Sequence, residues 1–234
     1  MFQNLFNDFL GLFFPVRCIS CEKILNRNEN FICNDCLSEL PLTHFNDFEN
    51  NLVTKTFWDR VPFKYGFSLM HFVKRSITQT ILHAIKYKGK AELAVFFGEM
   101  TGNRLIELSF PTDTIDGFLP VPLHPRKEKL RGFNQAAAFA QGLSKILKKP
   151  VLKNTVQRIK FTATQTKLSK EQRWQNVRNI FKITNPGKLY GKHIVIVDDV
   201  LTTGATIEAL ATEILKAVGK INLSFLTLAT AKII

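Results

Sequence analysis

The spacing of hydrophobic positions changes period several times along the chain. Near the start, Phe2, Leu5, Phe6, Phe9 and Phe13 fall close to helical spacing and predict an amphipathic first helix. Residues 41–65 have no clear period and read as a connector in which Trp58 and Phe63 serve packing. From Ser76 on, Ile77, Ile81, Leu82 and Ile85 share one helical face. The basic turn Lys86-Tyr87-Lys88-Gly89-Lys90 then stops the helix at its glycine. His83 reads as a structural histidine, and a second helix is predicted over roughly 92–108.

From Ile115 the pattern repeats strand, loop, helix. Ile115–Val121 is an apolar strand, His124–Phe133 a basic loop, and Asn134–Leu147 a helix burying Ala136, Phe139, Ala140, Leu143 and Leu147. Further strands are expected near 151–157, 179–183, 193–197 and 221–229. A last helix, about 204–218, buries Ile207, Leu210, Ile214 and Val218, and Gly219 caps it. This alternation implies an α/β fold, a mostly parallel sheet with helices on both faces. The 234 residues fit one full domain with a small accessory module. The expected division is an N-terminal helix and cysteine module at 1–45, a connector and helical hood at 46–110, and the α/β domain at 111–234.

Hydrophobic residues make up 45% of the chain and charged ones 22%, enough apolar surface for a buried core. The 21 phenylalanines read as core packing. The net charge of +13 is unevenly placed. Residues 124–192 hold 17 Lys/Arg against two acids, Glu128 and Glu171, whereas the rest of the chain nets −2. A field of one sign points to an anionic partner, a polyphosphate or a nucleic acid, since ordinary solubility surfaces mix the signs. No apolar run reaches the roughly 20 residues that span a bilayer. The apolar start has Asp8 where a signal peptide would be basic, so the expected location is the cytoplasm.

All four cysteines lie in two CxxC pairs, Cys18/Cys21 and Cys33/Cys36. Two such knuckles can set four thiolates around one zinc ion, and four sulfur ligands make the site structural. Disulfides or a redox pair are the rival reading, but disulfides call for export. A knuckle of this kind can also contact nucleic acid.

The chemistry concentrates in Ile194–Thr206, IVIVDDVLTTGAT. His193–Val197 has the continuous apolar character of a central parallel strand. Asp198 and Asp199 follow at its carboxyl end, where open α/β sheets bind ligands. Thr202, Thr203, Gly204, Ala205 and Thr206 then turn into a helix, so hydroxyls, free N–H groups and a helix N-terminus converge as an anion cradle. The two carboxylates repel phosphate, so they serve sugar hydroxyls or a divalent cation beside it.

This segment resembles the ribose-5-phosphate signature of type I phosphoribosyltransferases. The resemblance implies that Asp198 and Asp199 meet the ribose hydroxyls of phosphoribosyl pyrophosphate (PRPP). It implies that Val200 and Thr202 to Thr206 wrap the 5′-phosphate. Three further features resemble the ComF (ComFC-like) competence family: the double CxxC; Val121-Pro122-Leu123-His124-Pro125 leading to Arg131-Gly132-Phe133-Asn134-Gln135; and Arg158-x3-Thr162-x2-Gln165-x2-Leu168-Ser169-x3-Arg173-x2-Asn176. Together they cover nearly the whole chain.

Under that resemblance, His124, Lys129, Arg131, Gly132, Asn134 and Gln135 form a pyrophosphate loop. Residues 158–178 form a hood whose Lys167 and Arg173 close over the leaving group, and Mg²⁺ accompanies PRPP. Asp198, Asp199, Arg131, Lys167 and Arg173 are then the catalytic set. An acceptor pocket is expected in the hood before residue 115, with Tyr87 and Phe133. Two functions stand side by side. One is a PRPP-dependent phosphoribosyltransferase of nucleotide metabolism. The other is a competence protein that handles imported single-stranded DNA, with helicase-like and recombination-mediator partners, and in which the pocket binds a ribose phosphate.

Overall fold

A computed structural model describes residues 15–160 and 180–231. The predicted first helix, and the Thr162–Asn176 part of the third motif with Lys167 and Arg173, lie outside the described residues.

Four strands make one parallel sheet in the order β1-β6-β5-β2: β1 Gly66–His71, β2 Gly117–Pro120, β5 His193–Leu201 and β6 Asn222–Thr230. β5 and β6 lie at the centre, covered on both faces, and Ile194 to Val197 are fully buried. Both sheet edges are covered. On the β1 side, Thr43 N donates to Leu69 O and His71 N to Pro41 O. On the β2 side, Phe118 and Val151 form a parallel bridge. Such cover removes the open edge that invites aggregation. A separate hairpin joins β3 Val156–Arg158 and β4 Phe181–Ile183.

Six α-helices are described: α1 Asn34–Ser38, α2 Ile77–Tyr87, α3 Ala91–Glu107, α4 Pro125–Arg131, α5 Gln135–Leu147 and α6 Ala205–Val218. Helices flank the sheet, as the strand–helix alternation requires. α3 and α5 pack against each other at close range, and α5 also meets β2 and β5. Their contact depends on Gly142, where any Cβ would collide with the Val95 carbonyl.

Three expectations change. The Ile115–Val121 strand is shorter, because only Gly117–Pro120 pair with β5. The stretch 151–157 is a single bridge at Val151 and then β3, since Asn154 turns the chain with φ of 59°. The basic loop at 124–133 is helical over Pro125–Arg131. Pro125 presets the first-turn φ, the His124 side chain accepts from Arg126 N, and left-handed Gly132 ends the helix. β1, which the periodicity does not single out, enters the sheet directly after the connector.

Candidate functional site

The paired acids lie inside β5, which runs four residues past the apolar HIVIV segment. Asp198 pairs in register with Thr227 of β6, and Val200 with Ala229. Both acids thus lie toward the carboxyl end of this central strand, where open α/β sheets bind ligands. Asp199 N donates to the Asp198 carboxylate at 2.8 Å. Burial, and then the neighbouring Asp199 charge, push the Asp198 carboxyl up to about 7.

Beyond Leu201, Thr202 and Thr203 are exposed, and Gly204 turns into α6 with φ of +79°. Ala205 N donates to the Thr203 hydroxyl at 3.4 Å, a long contact that leaves the first turn of the helix open to a ligand. The loop rests on the connector: the ring of Phe57 and the methyl of Thr56 lie where a Gly204 Cβ would go. Beside it, Arg60 pairs with Glu208 in the first turn of α6.

Cations face the acids from two other elements, and a third adds a cation beside them. Lys86, in the last turn of α2, reaches Asp199 at 3.0 Å. Arg158, at the end of β3, lies close enough to Asp198 for each to favour the other's charged form. Lys127 of α4 sits with Arg158 and Arg131; burial first, and then those two cations, lower its pKa. Three clustered cations destabilise one another, which is tolerable where an anion is to be bound.

The residues of the predicted pyrophosphate loop divide by role. His124 caps α4, and Asn134 caps α5 while its Nδ2 donates to Val121 O at 3.0 Å. Gln135 is buried and accepts from Arg131 Nη1 at 2.8 Å. The Arg131 guanidinium also lies 5.7 Å from the centre of the Tyr87 ring. Lys129 is exposed on α4. A cavity of about 790 Å³ opens beside this loop, lined by His124, Phe133, Asn134, Gln157 and Arg158 among others. Lys86 is not singled out by its local sequence, and Arg158, although it opens the third motif, is given no site role there. Lys86 sits in a basic turn and Arg158 in a basic stretch, and only the fold brings them to the acids.

The four cysteines converge as expected. Their sulfur atoms all lie within 4.8 Å of one another, with Cys21 and Cys33 at 3.6 Å. Sulfur ligands held tetrahedrally at about 2.3 Å from a zinc ion stand roughly 3.8 Å apart, so the donor set fits one metal ion. Burial disfavours the Cys18 thiolate, but backbone N–H groups of Cys21, Cys33 and Ser20 outweigh it and bring the thiol down to about 6. Burial and the three neighbouring thiols push Cys36 up to about 12. A cation at the centre would remove that conflict. The module docks on the main core through Phe31, whose ring centre lies 5.8 Å from that of Phe96 on α3. Among the described residues, no helix is long and apolar enough to cross a membrane.

Residues 134–231 match the family model described as phosphoribosyl transferase domain. Competence protein F of Haemophilus influenzae is 26% identical over 225 residues, 85% of this chain and 90% of that protein. The DNA utilization protein YhgH of Shigella flexneri is 34% identical over 142 residues, which is 58% of this chain and 60% of that one. YhgH of Escherichia coli K12 is likewise 34% identical over 142 residues, 58% of this chain and 60% of that one. The chain thus spans less than two thirds of the YhgH proteins and most of competence protein F.

Proposed function

We propose that this chain, a homologue of competence protein F and the YhgH proteins with a phosphoribosyl transferase domain, binds PRPP or a related ribose phosphate and acts in natural competence. There it handles imported single-stranded DNA in the cytoplasm, with helicase-like and recombination-mediator partners. One observation carries the ligand: paired acids and an open helix N-terminus follow each other on β5 and α6, with Arg158 beside Asp198 and Lys127 and Arg131 grouped with it.

Each part has a physical role. Asp198 and Asp199 accept hydrogen bonds from vicinal ribose hydroxyls. Thr202, Thr203, Thr206 and the N–H groups of 204–206 hold the 5′-phosphate at the positive end of α6. Lys127, Arg131 and Arg158 neutralise the pyrophosphate. Bound with PRPP, Mg²⁺ would add positive charge against the diphosphate oxygens. The four thiolates hold structural zinc, which fixes the N-terminal module on α3. The same basic surface gives salt-dependent attraction for a DNA strand.

The cation group also supports a second reading, an active phosphoribosyltransferase. Cations placed on a departing pyrophosphate stabilise the charge that develops as the bond to ribose C1 breaks. One titration series separates the readings. PRPP with Mg²⁺ and a single-stranded oligonucleotide are titrated against the same protein. Competition between them is expected, as is loss of PRPP binding in Asp198→Asn/Asp199→Asn. Absence of PRPP binding overturns the ribose-phosphate reading. Pyrophosphate release with a nucleobase present favours the transferase.

A further inference from the structure

Two consecutive side chains at the end of α2 touch the two halves of the site separately. Lys86 is ion-paired to Asp199 at 3.0 Å, on the ribose side. Tyr87 lies under the Arg131 guanidinium at 5.7 Å, on the pyrophosphate side. The Tyr87 side is built further: the ring of His83 lies 5.0 Å from it, one helical turn back. Arg131 Nη1 also donates to the buried Gln135 at 2.8 Å. The guanidinium thus meets both a ring face and an amide oxygen.

Tyr87 is 65% exposed, so its ring does not serve the hydrophobic core. An aromatic ring left in water but set under a cation contributes by orienting that cation. Lys86 is half-buried and fixes the backbone on which Tyr87 stands, because the two are adjacent in the same helical turn. Gly89 follows with φ of +65° and no atom within 4 Å of a would-be Cβ. Gly89 thus ends α2 in open space directly after the pair, while Ala84 and Ile85 anchor the preceding turn in the core.

We propose that Lys86 and Tyr87 are positioning residues that tie the ribose subsite to the pyrophosphate subsite, with Tyr87 orienting Arg131 toward the diphosphate of the ligand. This rests on the ribose-phosphate reading of the same site. It goes beyond that reading by making the α2 turn a source of selectivity, which favours a ribose phosphate bearing a diphosphate over one without it. No side chain of this turn belongs to the phosphate loop or to the paired acids.

The ligand pair PRPP and ribose 5-phosphate separates the two subsites, since only PRPP carries the group that Arg131 would meet. Calorimetric titration of the full chain with each ligand, in Mg²⁺, gives the readout. Tyr87→Leu is expected to weaken PRPP about 3- to 5-fold, the range of a partly exposed cation–π contact, and to leave ribose 5-phosphate unchanged. Tyr87→Phe, which keeps the ring face, should bind both like the parent protein. Lys86→Met should weaken both ligands, because it loosens the Asp199 side as well. Thermal melting of each variant confirms folding. Equal weakening of both ligands by Tyr87→Leu, or no effect on either, overturns the proposal. Failure of the parent protein to bind either ligand removes the underlying reading instead, so the two failures are told apart.

Discussion

The ring of Phe57 lies directly beneath Gly204. A Cβ built on that glycine would come within 2.6 Å of Phe57 Cε1, and the backbone there has φ of +79°. Phe57 is 1% exposed and meets Phe63 and Phe225 edge-on, at centroid distances of 4.9 and 4.8 Å, so it has little room to retreat. Gly204→Ala is therefore expected to cost about 2–4 kcal/mol, from the left-handed backbone and the overpacking together. It should also weaken ribose 5-phosphate, because the loop moves off its support. Urea unfolding and ligand titration measure the two effects. Adding Phe57→Leu should recover part of the stability by relieving the collision, but not the backbone part. A Gly204→Ala protein as stable as its parent would show that the ring does not hold the loop.

The chemistry of β5 and α6 was legible because it is local. A continuous apolar strand, two acids, a threonine-rich turn and a helix are adjacent in sequence, and their order alone predicts the strand, turn and helix that carry the candidate site. The support of that site was not legible for the opposite reason. Phe57 sits in a connector without period, and only packing brings it under Gly204. Lys86 carries the same local signals as any solvated basic turn, and its partner Asp199 is more than a hundred residues away. β1 carries no clear sequence signal, because Gly66–His71 is a short apolar run that follows an aromatic connector with little turn chemistry between them. The α4 helix was partly readable, since Pro125 after a capping His124 is a helix start. Its basic composition and Gly132 outweighed that signal.

The cysteine module makes an analytical prediction. The purified protein should carry about one zinc per chain by elemental analysis. Removal by a strong chelator should lower the melting temperature by roughly 5–10 °C, since metal binding and folding of such a module are one process. Phe31 would leave Phe96 on α3 as the module loosens, so binding of a hydrophobic dye should rise together with metal loss. Cys36→Ser should reproduce the chelated state without chelator. Full metal content in that variant would place the ion elsewhere.

His193 predicts how the protein responds to acid. Its Nε2 lies 2.7 Å from the Ser224 hydroxyl, which also accepts from Tyr65 N. Its Nδ1 lies 3.1 Å from the Thr114 carbonyl and donates to it. Burial first, and then Lys64, lower its pKa below the ordinary value of 6.5. A depressed histidine stabilises the fold while neutral, so its contribution is present above pH 6.5 and is lost as pH falls through the folded value. Between pH 7.5 and 5.5 the parent protein should lose on the order of 1 kcal/mol more than His193→Asn, by urea unfolding at each pH. Parallel losses in the two proteins would remove His193 as the cause.

Asp198 couples stability to binding with opposite signs. Its carboxyl is pushed up to about 7 by burial and by Asp199. An unfolded aspartate ionises near 3.9, so between roughly pH 4 and 7 the unfolded chain gives up a proton that the folded one keeps. The stability of the fold therefore falls as pH rises through that window, and the loss is complete above it. Asp198→Asn removes that loss. At pH 8 it should be more stable than the parent by on the order of 1–3 kcal/mol, and at pH 4 no more stable. Binding runs the other way, because sugar hydroxyls donate best to the ionised carboxylate. Ribose 5-phosphate should bind about 10-fold more tightly at pH 8 than at pH 6 in the parent protein. The ligand's own phosphate titrates near pH 6, and that part of the slope should persist in Asp198→Asn while the rest disappears. Lys86 lowers the Asp198 pKa, so Lys86→Met should move the midpoint of the binding profile to higher pH. An Asp198→Asn protein that is destabilised at pH 8, or that keeps the full pH slope of binding, would mean that the strained carboxylate on β5 is not the group that meets the sugar.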